Sequence, residues 1–306
     1  MDSMKEIKNH IKSIRDTRKI TNAMYLISSA KLRKAKADLD NTQPYFNAIR
    51  TEIKRIFRTA PNIESHYFYP SEDSVKKLDG TYCCLVITAD RGLAGTYNQN
   101  VLKNTVSMLA SHPDTKLFVV GEYGRRYFIR KNIPVEQSFL YTAQNPTMQR
   151  AREISAILLD RYDSGEFQKI YIIYTDMQIG HTLKTIETRL LPFHRSHFDI
   201  PSAGGETPVD FEFIPSMSVV LDNVIPSYIT GFIYSALVAS FCCEQYARMT
   251  AMNSAGENAD EMLNRLSVDY NRIRQSIITQ EITEVAAGAR AQERMNAKNR
   301  REVPEF

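Results

Sequence analysis

Apolar positions are sparse along the first 57 residues, and their spacing is helical. Ile7, Ile11 and Ile14 lie four and three apart, a narrow seam. The pattern then slips and resumes at Ile20, Ala23, Ile27 and Ala30, flanked mostly by Lys, Arg and Asn. Residues 3–57 hold no Gly and a single Pro, Pro44, and good helix formers dominate. The segment predicts one very long helix. A stripe this thin cannot bury a globular core, but it suits pairing with one other helix.

The pattern changes after a linker-like stretch between residues 58 and 80. Strand-like runs follow at TYCCLVIT (81–88), KLFVVG (116–121), KIYIIYTD (169–176), LKTIETRLLPF (183–193) and FEFIP (211–215). Helical runs at about 95–112, 122–131 and 147–163 separate the first three strands. Such alternation implies crossover connections and a mainly parallel sheet. The later strands follow without helices, so an antiparallel edge is expected. PSAGGETP (201–208) reads as a flexible loop.

From about residue 219 to 297 the chain is helical again. Pro226 is near the start, where proline is tolerated. Leu263, Leu266, Tyr270, Ile273 and Ile277 form a seam that Met252 and Ala259 extend backwards. About 75 residues of helix would span roughly 110 Å, far more than a compact domain requires. The expected fold class is α/β. The two terminal segments form a long antiparallel two-helix coiled coil, and a Rossmann-like α/β domain is inserted between them. The expected division is an N-terminal coiled-coil helix at 1–58, the inserted domain at 59–218, and a C-terminal helix with a charged tail at 219–306.

Composition narrows the function. With 43% apolar and 24% charged residues, the chain is ordinary for a soluble protein. No apolar run was expected to reach the ~18–20 residues a membrane helix needs. The acid-containing N-terminus resembles neither a secretory signal nor a transit peptide. Cys83–Cys84 and Cys242–Cys243 are adjacent pairs inside apolar runs, read as reduced core thiols. Net charge is +4, yet residues 1–58 carry 14 Lys/Arg against 6 Asp/Glu, which suggests an acidic partner for that end.

Chemistry is sparse. TADRGLAG (88–95) ends a strand and precedes a helix, as a phosphate loop does. It matches neither the Walker A nor the dinucleotide fingerprint, having only Gly92 and Gly95, and Asp90 sets a negative charge where a phosphate would sit. The expectation is that Asp90 pairs locally with Arg91 and the glycines turn the chain. GEYG (121–124) is weaker still as a phosphate site. His194 and His197 have metal-like spacing but no third ligand nearby, and are expected in a solvated loop. No catalytic, cofactor or metal residues are expected. KLRKAKA (31–37) could track phosphates, but the helix has few aromatics for base stacking.

The two ends carry a resemblance. KEIKNHIKSIRDTRKITNAM (5–24) with SSAKLRKA (28–35), and ARMTAMNSAGENADEM (247–262) with YNRIRQSIITQEITEV (270–285), resemble the terminal helices of the gamma subunit of F-type ATP synthases. ITADRGLAG (87–95) and GEYGRR (121–126) match internal motifs of that family in order. The resemblance implies a non-catalytic central rotor shaft inside a ring of alpha and beta subunits. Its foot would rest on the membrane rotor ring and bind the epsilon subunit, without nucleic acid or a small-molecule substrate. It implies a peripheral position on the cytoplasmic face of a bacterial cell membrane. It also implies partner contacts at Lys19, Met24, Lys31, Arg33 and Lys34 on the first helix. On the second it implies Arg248, Arg274, Gln275, Thr279, Gln280, Glu281 and Glu284. Around Gln280 and Glu284 the seam turns polar, so this stretch is expected to leave its partner helix for the surrounding ring.

The chain departs from the family in ARAQERMNAKNRREVPEF (289–306), an extension expected to run on as helix and fray near Pro304. Asn22 and Tyr25 also replace the basic and acidic residues common beside the family's Ala-Met. Two other classes stand beside the shaft reading: an α/β enzyme with helical oligomerisation arms, and a coiled-coil nucleic-acid adaptor.

Overall fold

A computed structural model describes residues 4–59, 65–68, 80–178, 180, 182–193, 213–214 and 216–301. The elements are α1 (Met4–Thr59), β1 (Tyr82–Ile87), α2 (Tyr97–Ser111), β2 (Lys116–Val120), α3 (Glu122–Arg130), α4 (Met148–Asp163), β3 (Lys169–Met177), β4 (Leu183–Leu191) and α5 (Met217–Arg301). They divide into two compact units. One holds residues 25–251, the other residues 1–24 with 252–306. His194, His197, the loop 201–208 and Pro304 lie outside the described residues, as do most of the 58–80 linker and of the strand-like run 211–215.

In the larger unit the sheet order is β2-β1-β3-β4. β1 pairs in parallel with β2 and β3, and β4 is the antiparallel edge, as the pattern of helices between strands predicts. Alternation sorts the strand side chains to two faces. Cys84, Val86, Leu117, Val119 and Ile173 face one way, under Val101, Leu102 and Met108 of α2 and Phe128 of α3. Cys83, Leu85, Ile87, Phe118, Ile170 and Ile172 face the other, under Ile154 and Leu158 of α4 and a long apolar stretch of α5. Ile53 and Ile56 near the end of α1 close that core. The four cysteines are free and buried, and burial pushes each thiol up, Cys242 to about 11.

The apolar part of α5 corrects one expectation. A window of this helix is long and apolar enough to cross a membrane, with mean hydropathy 1.5. Yet 67% of that window is buried inside the protein, so the run reads as the core helix of the sheet's second face.

GEYG is a packing motif. Gly121 has φ +96°, and a Cβ there would come 2.3 Å from the Thr88 carbonyl oxygen. A Cβ on Gly124 would come 2.6 Å from Thr88 Oγ1. Both glycines let the start of α3 lie against the end of β1, where Thr88 Oγ1 accepts the Gly124 N–H at 3.1 Å.

In the smaller unit α1 and α5 pair antiparallel. Arg18 is ion-paired with Asp260, and Thr21 faces Gly256. Ile7, Thr21, Met252 and Ala259 are buried, and Leu263, Leu266, Tyr270 and Ile273 are half-buried, as the C-terminal seam predicts, whereas Ile277, expected to continue it, is exposed by 40% because the pairing with α1 does not reach that far. The seam of α1 differs from expectation. Ile20, Ala23, Ile27 and Ala30 are all exposed, Ile20 by 61%. The heptad never slips. In this unit it runs through Ile7, half-buried Ile14 and Thr21, and in the larger unit buried Ser28 and Ala35 fall at the same spacing, so small polar residues hold two of its positions.

Candidate functional site

Two regions carry the functional argument: the carboxyl edge of the sheet, and the exposed surfaces of α1 and α5. In an open α/β sheet, ligands bind outside the carboxyl ends of the strands where the order reverses, here between β1 and β3. That crevice is filled by α5. Ser240 Oγ accepts the Thr175 N–H at 3.2 Å, and Cys243 packs with Ala89, Ala94 and Tyr97. One turn on, Arg248 donates to the carbonyls of Arg91 and Gly92 at 3.4 and 3.2 Å and to Glu244 Oε1 at 2.7 Å.

Glu244 is the unusual group there. Burial raises its carboxyl above the ordinary range and Asp90 adds to the rise, against the pull of Arg248 and Lys31. Its second oxygen, Oε2, is buried without a hydrogen-bond partner, as is Thr175 Oγ1. Burial also raises Tyr97 strongly, with the charge of Glu244 adding to it.

Asp90 does not pair with Arg91. Its Oδ1 accepts the N–H groups of Glu122 at 3.1 Å and Ala143 at 3.2 Å, and its Oδ2 accepts Gln144 N at 3.2 Å and the Thr142 hydroxyl. The loop is closed from the other side by Asn98, whose Oδ1 accepts Ala89 N–H at 3.0 Å. Gly95 turns the chain at φ +54°, and Leu93, rather than Gly92, takes the other left-handed position at φ +63°.

The expected contact residues separate into two groups. Lys19, Lys31, Arg33 and Lys34 are exposed on α1, with Met24 half-buried. Arg33 donates to Ser29 Oγ at 3.0 Å and Lys19 pairs with Asp16 at 3.2 Å, both within the helix. Arg274, Gln275, Thr279, Gln280, Glu281 and Glu284 are exposed on α5. Their bonds are local, Thr279 to the Gln275 carbonyl at 2.8 Å and Gln280 to Glu284 at 2.9 Å. Arg248 stands apart. It is only 8% exposed and spends its guanidinium on the β1–α2 loop, so its place is inside the domain.

The register shows how far along α5 the described part of α1 reaches. Arg18 meets Asp260 and Thr21 meets Gly256, so each step forward in α1 is a step back in α5. Continued to Met4, that register reaches about Ile273. Ile278, Ile282 and Val285 beyond it are exposed, Val285 by 73%. Sequence reading missed the buried Glu244–Arg248 pair. Its signal is there: a carboxylate and a guanidinium four apart inside the apolar run FCCEQYAR.

The family model described as ATP synthase matches residues 3–292. The ATP synthase gamma chain of Caldanaerobacter subterraneus is 42% identical over 293 residues, covering 93% of this chain and 98% of its own length. The chain belongs to the ATP synthase gamma-chain family. The gamma chain of Ruminiclostridium cellulolyticum is also 42% identical, covering 95% of this chain and 99% of its own. Among solved structures, a chain of the Euglena gracilis mitochondrial ATP synthase OSCP/F1/c-ring, rotational state 3, matches with TM-score 0.63 at 16% identity. It covers 99% of this chain and 98% of its own length, so the two chains share a fold. Membership brings the role expected from the terminal motifs, the central-stalk rotor subunit of an ATP synthase.

Proposed function

We propose that this gamma chain is a non-catalytic shaft that shifts the conformations of surrounding ATPase subunits as it turns. The observation that carries the reading is the α5 surface after Ile273, where Ile278, Ile282 and Val285 are exposed beyond the reach of the described part of α1. Such a surface is left for a partner to cover. The reading assigns that partner as the alpha and beta ring, met by Arg274, Gln275, Thr279, Gln280, Glu281 and Glu284. Lys19, Met24, Lys31, Arg33 and Lys34 form a second, basic contact belt. The α/β domain, expected over 59–218, serves as the foot toward the epsilon subunit and the membrane rotor ring, on the cytoplasmic face of the membrane.

Magnitudes favour many weak contacts. Driving a site from nearly all open to nearly all closed needs ~5.5 kcal/mol of bias. An exposed ion pair contributes ~0–1 kcal/mol, so the work is spread along the helix. Weak contacts also keep a rotor from sticking at one angle. An asymmetric rod then presents different faces to otherwise equivalent neighbours and shifts each population differently.

The test is capture of a tagged full-length copy from cells. Alpha and beta chains should co-purify at three each per tagged chain, and the chain alone should show no ATP hydrolysis. Recovery without either chain, or robust hydrolysis by the isolated chain, overturns the reading.

A further inference from the structure

The carboxyl edge of the sheet holds an arrangement that the shaft reading does not use. Three backbone N–H groups and one hydroxyl converge on the carboxylate of Asp90, at 3.1 to 3.2 Å for the three N–H groups. They come from separate places: Glu122 at the start of α3, and Thr142, Ala143 and Gln144 in the segment before α4. Convergent amides of this kind form an oxyanion pocket, and their bonds to an ionised group are the stronger, charge-assisted type. The far wall is braced. Arg150 Nη1 donates to the carbonyls of Thr142, Gln144 and Asn145 at 3.1, 2.7 and 3.3 Å. Backbone bonds complete the edge, Tyr123 N to Ala89 O at 3.1 Å and Gly121 N to Tyr141 O at 2.9 Å.

We infer that Asp90 is the positioning residue of this edge. Its carboxylate is a resident anion in a preformed oxyanion pocket, and it locks together the loops after β1, β2 and α3, the first of which Arg248 also holds. The pocket is therefore an anion site filled by the chain itself, and removing the side chain opens it to small carboxylates. The inference stands on the α/β domain and goes beyond the shaft reading. Two features make the filling specific. The acceptor follows Ala89, which is fully buried and tied to Asn98, so the carboxylate cannot swing far. Each oxygen accepts two hydrogen bonds, so neither shape nor charge alone replaces it.

The experiment uses the full-length chain with Asp90→Ala and Asp90→Asn. Thermal unfolding is followed with added sodium formate, and with sodium chloride at equal ionic strength. Asp90→Ala should lower the unfolding midpoint by at least about 5 °C. Formate should restore half or more of that loss with saturation, while chloride should not. Wild type should show no formate-specific gain. Asp90→Asn keeps the shape but turns one acceptor into a donor. Its Glu122, Ala143 and Gln144 amides should exchange with deuterium at least about ten-fold faster, with β1 protected as before. An unchanged midpoint in Asp90→Ala, or equal recovery in chloride, overturns the inference. If Asp90→Ala yields no folded chain, wild-type exchange at those three amides in Asp90→Asn overturns it instead. None of these readouts involves the ATPase ring, so the result is independent of whether the chain turns.

Discussion

Arg248 on α5 donates 3.2 Å to the carbonyl of Gly92, 156 residues earlier in the chain, while its pair with Glu244 is shielded from solvent. Breaking a buried pair by removing one partner leaves the other charge stranded. Arg248→Ala should cost about 3 kcal/mol in chemical unfolding of the purified chain. Adding Glu244→Leu should return part of the loss, giving a coupling of about 1–3 kcal/mol. Strictly additive effects would mean the two side chains stabilise independently.

Glu244 gives a pH dependence of defined sign. Its folded carboxyl is raised, chiefly by burial, so the folded chain holds this proton more tightly than the unfolded one. That contribution is complete below the ordinary carboxylate range and is lost as pH rises through the folded value. The stability gap between Glu244→Gln and wild type should therefore move in favour of the variant from pH 5 to pH 8. Denaturant titrations at both pH values read the change, and a gap moving the other way contradicts the assignment.

Two glycines on one helix should respond oppositely to alanine. At Gly256 a Cβ meets only Thr21 Oγ1 at 3.9 Å, an ordinary contact. Gly256→Ala should stabilise by up to about 1 kcal/mol from helix propensity. At Gly231 a Cβ meets Phe46 Cδ2 at 2.9 Å, and Phe46 stacks on Tyr228 with centroids 5.1 Å apart. Gly231→Ala should destabilise by about 1–3 kcal/mol through overpacking. Differential scanning calorimetry on both variants decides the signs.

Lys31, Arg33 and Lys34 are exposed on α1, and the seam beside them is carried by Ala35. Replacing all three with Ala should leave the unfolding free energy within about 0.5 kcal/mol of wild type. In the reconstituted ATPase the same variant should rotate with less torque at low salt, and the difference should shrink as salt screens the contacts. Equal torque at every ionic strength would remove these residues from the contact belt.

The legible parts of the fold are those written in local periodicity. β1 to β4 and the helices between them follow from apolar runs and their separators, and the α5 seam from Met252 to Ile273 follows from three-four spacing. The α1 seam is hidden because Thr21 and Ser28 look polar in the sequence, while apolar Ile20 and Ile27 beside them face solvent. A close helix pair selects for size at the seam, and size is not the same signal as hydropathy. The partners of Asp90 were equally hidden. Its ligands are backbone N–H groups 32 to 54 residues away, which no local spacing encodes. The motif alone puts Arg248 among the partner contacts, and only the Glu244 near it in an apolar run hints at its inward role.

The occupation of the β1–β3 crevice by Ser240, Cys243 and Arg248 bears on how the chain lives among adenylates. A sheet whose switch-point cleft is stoppered by its own helix leaves a small ligand no room to lodge there.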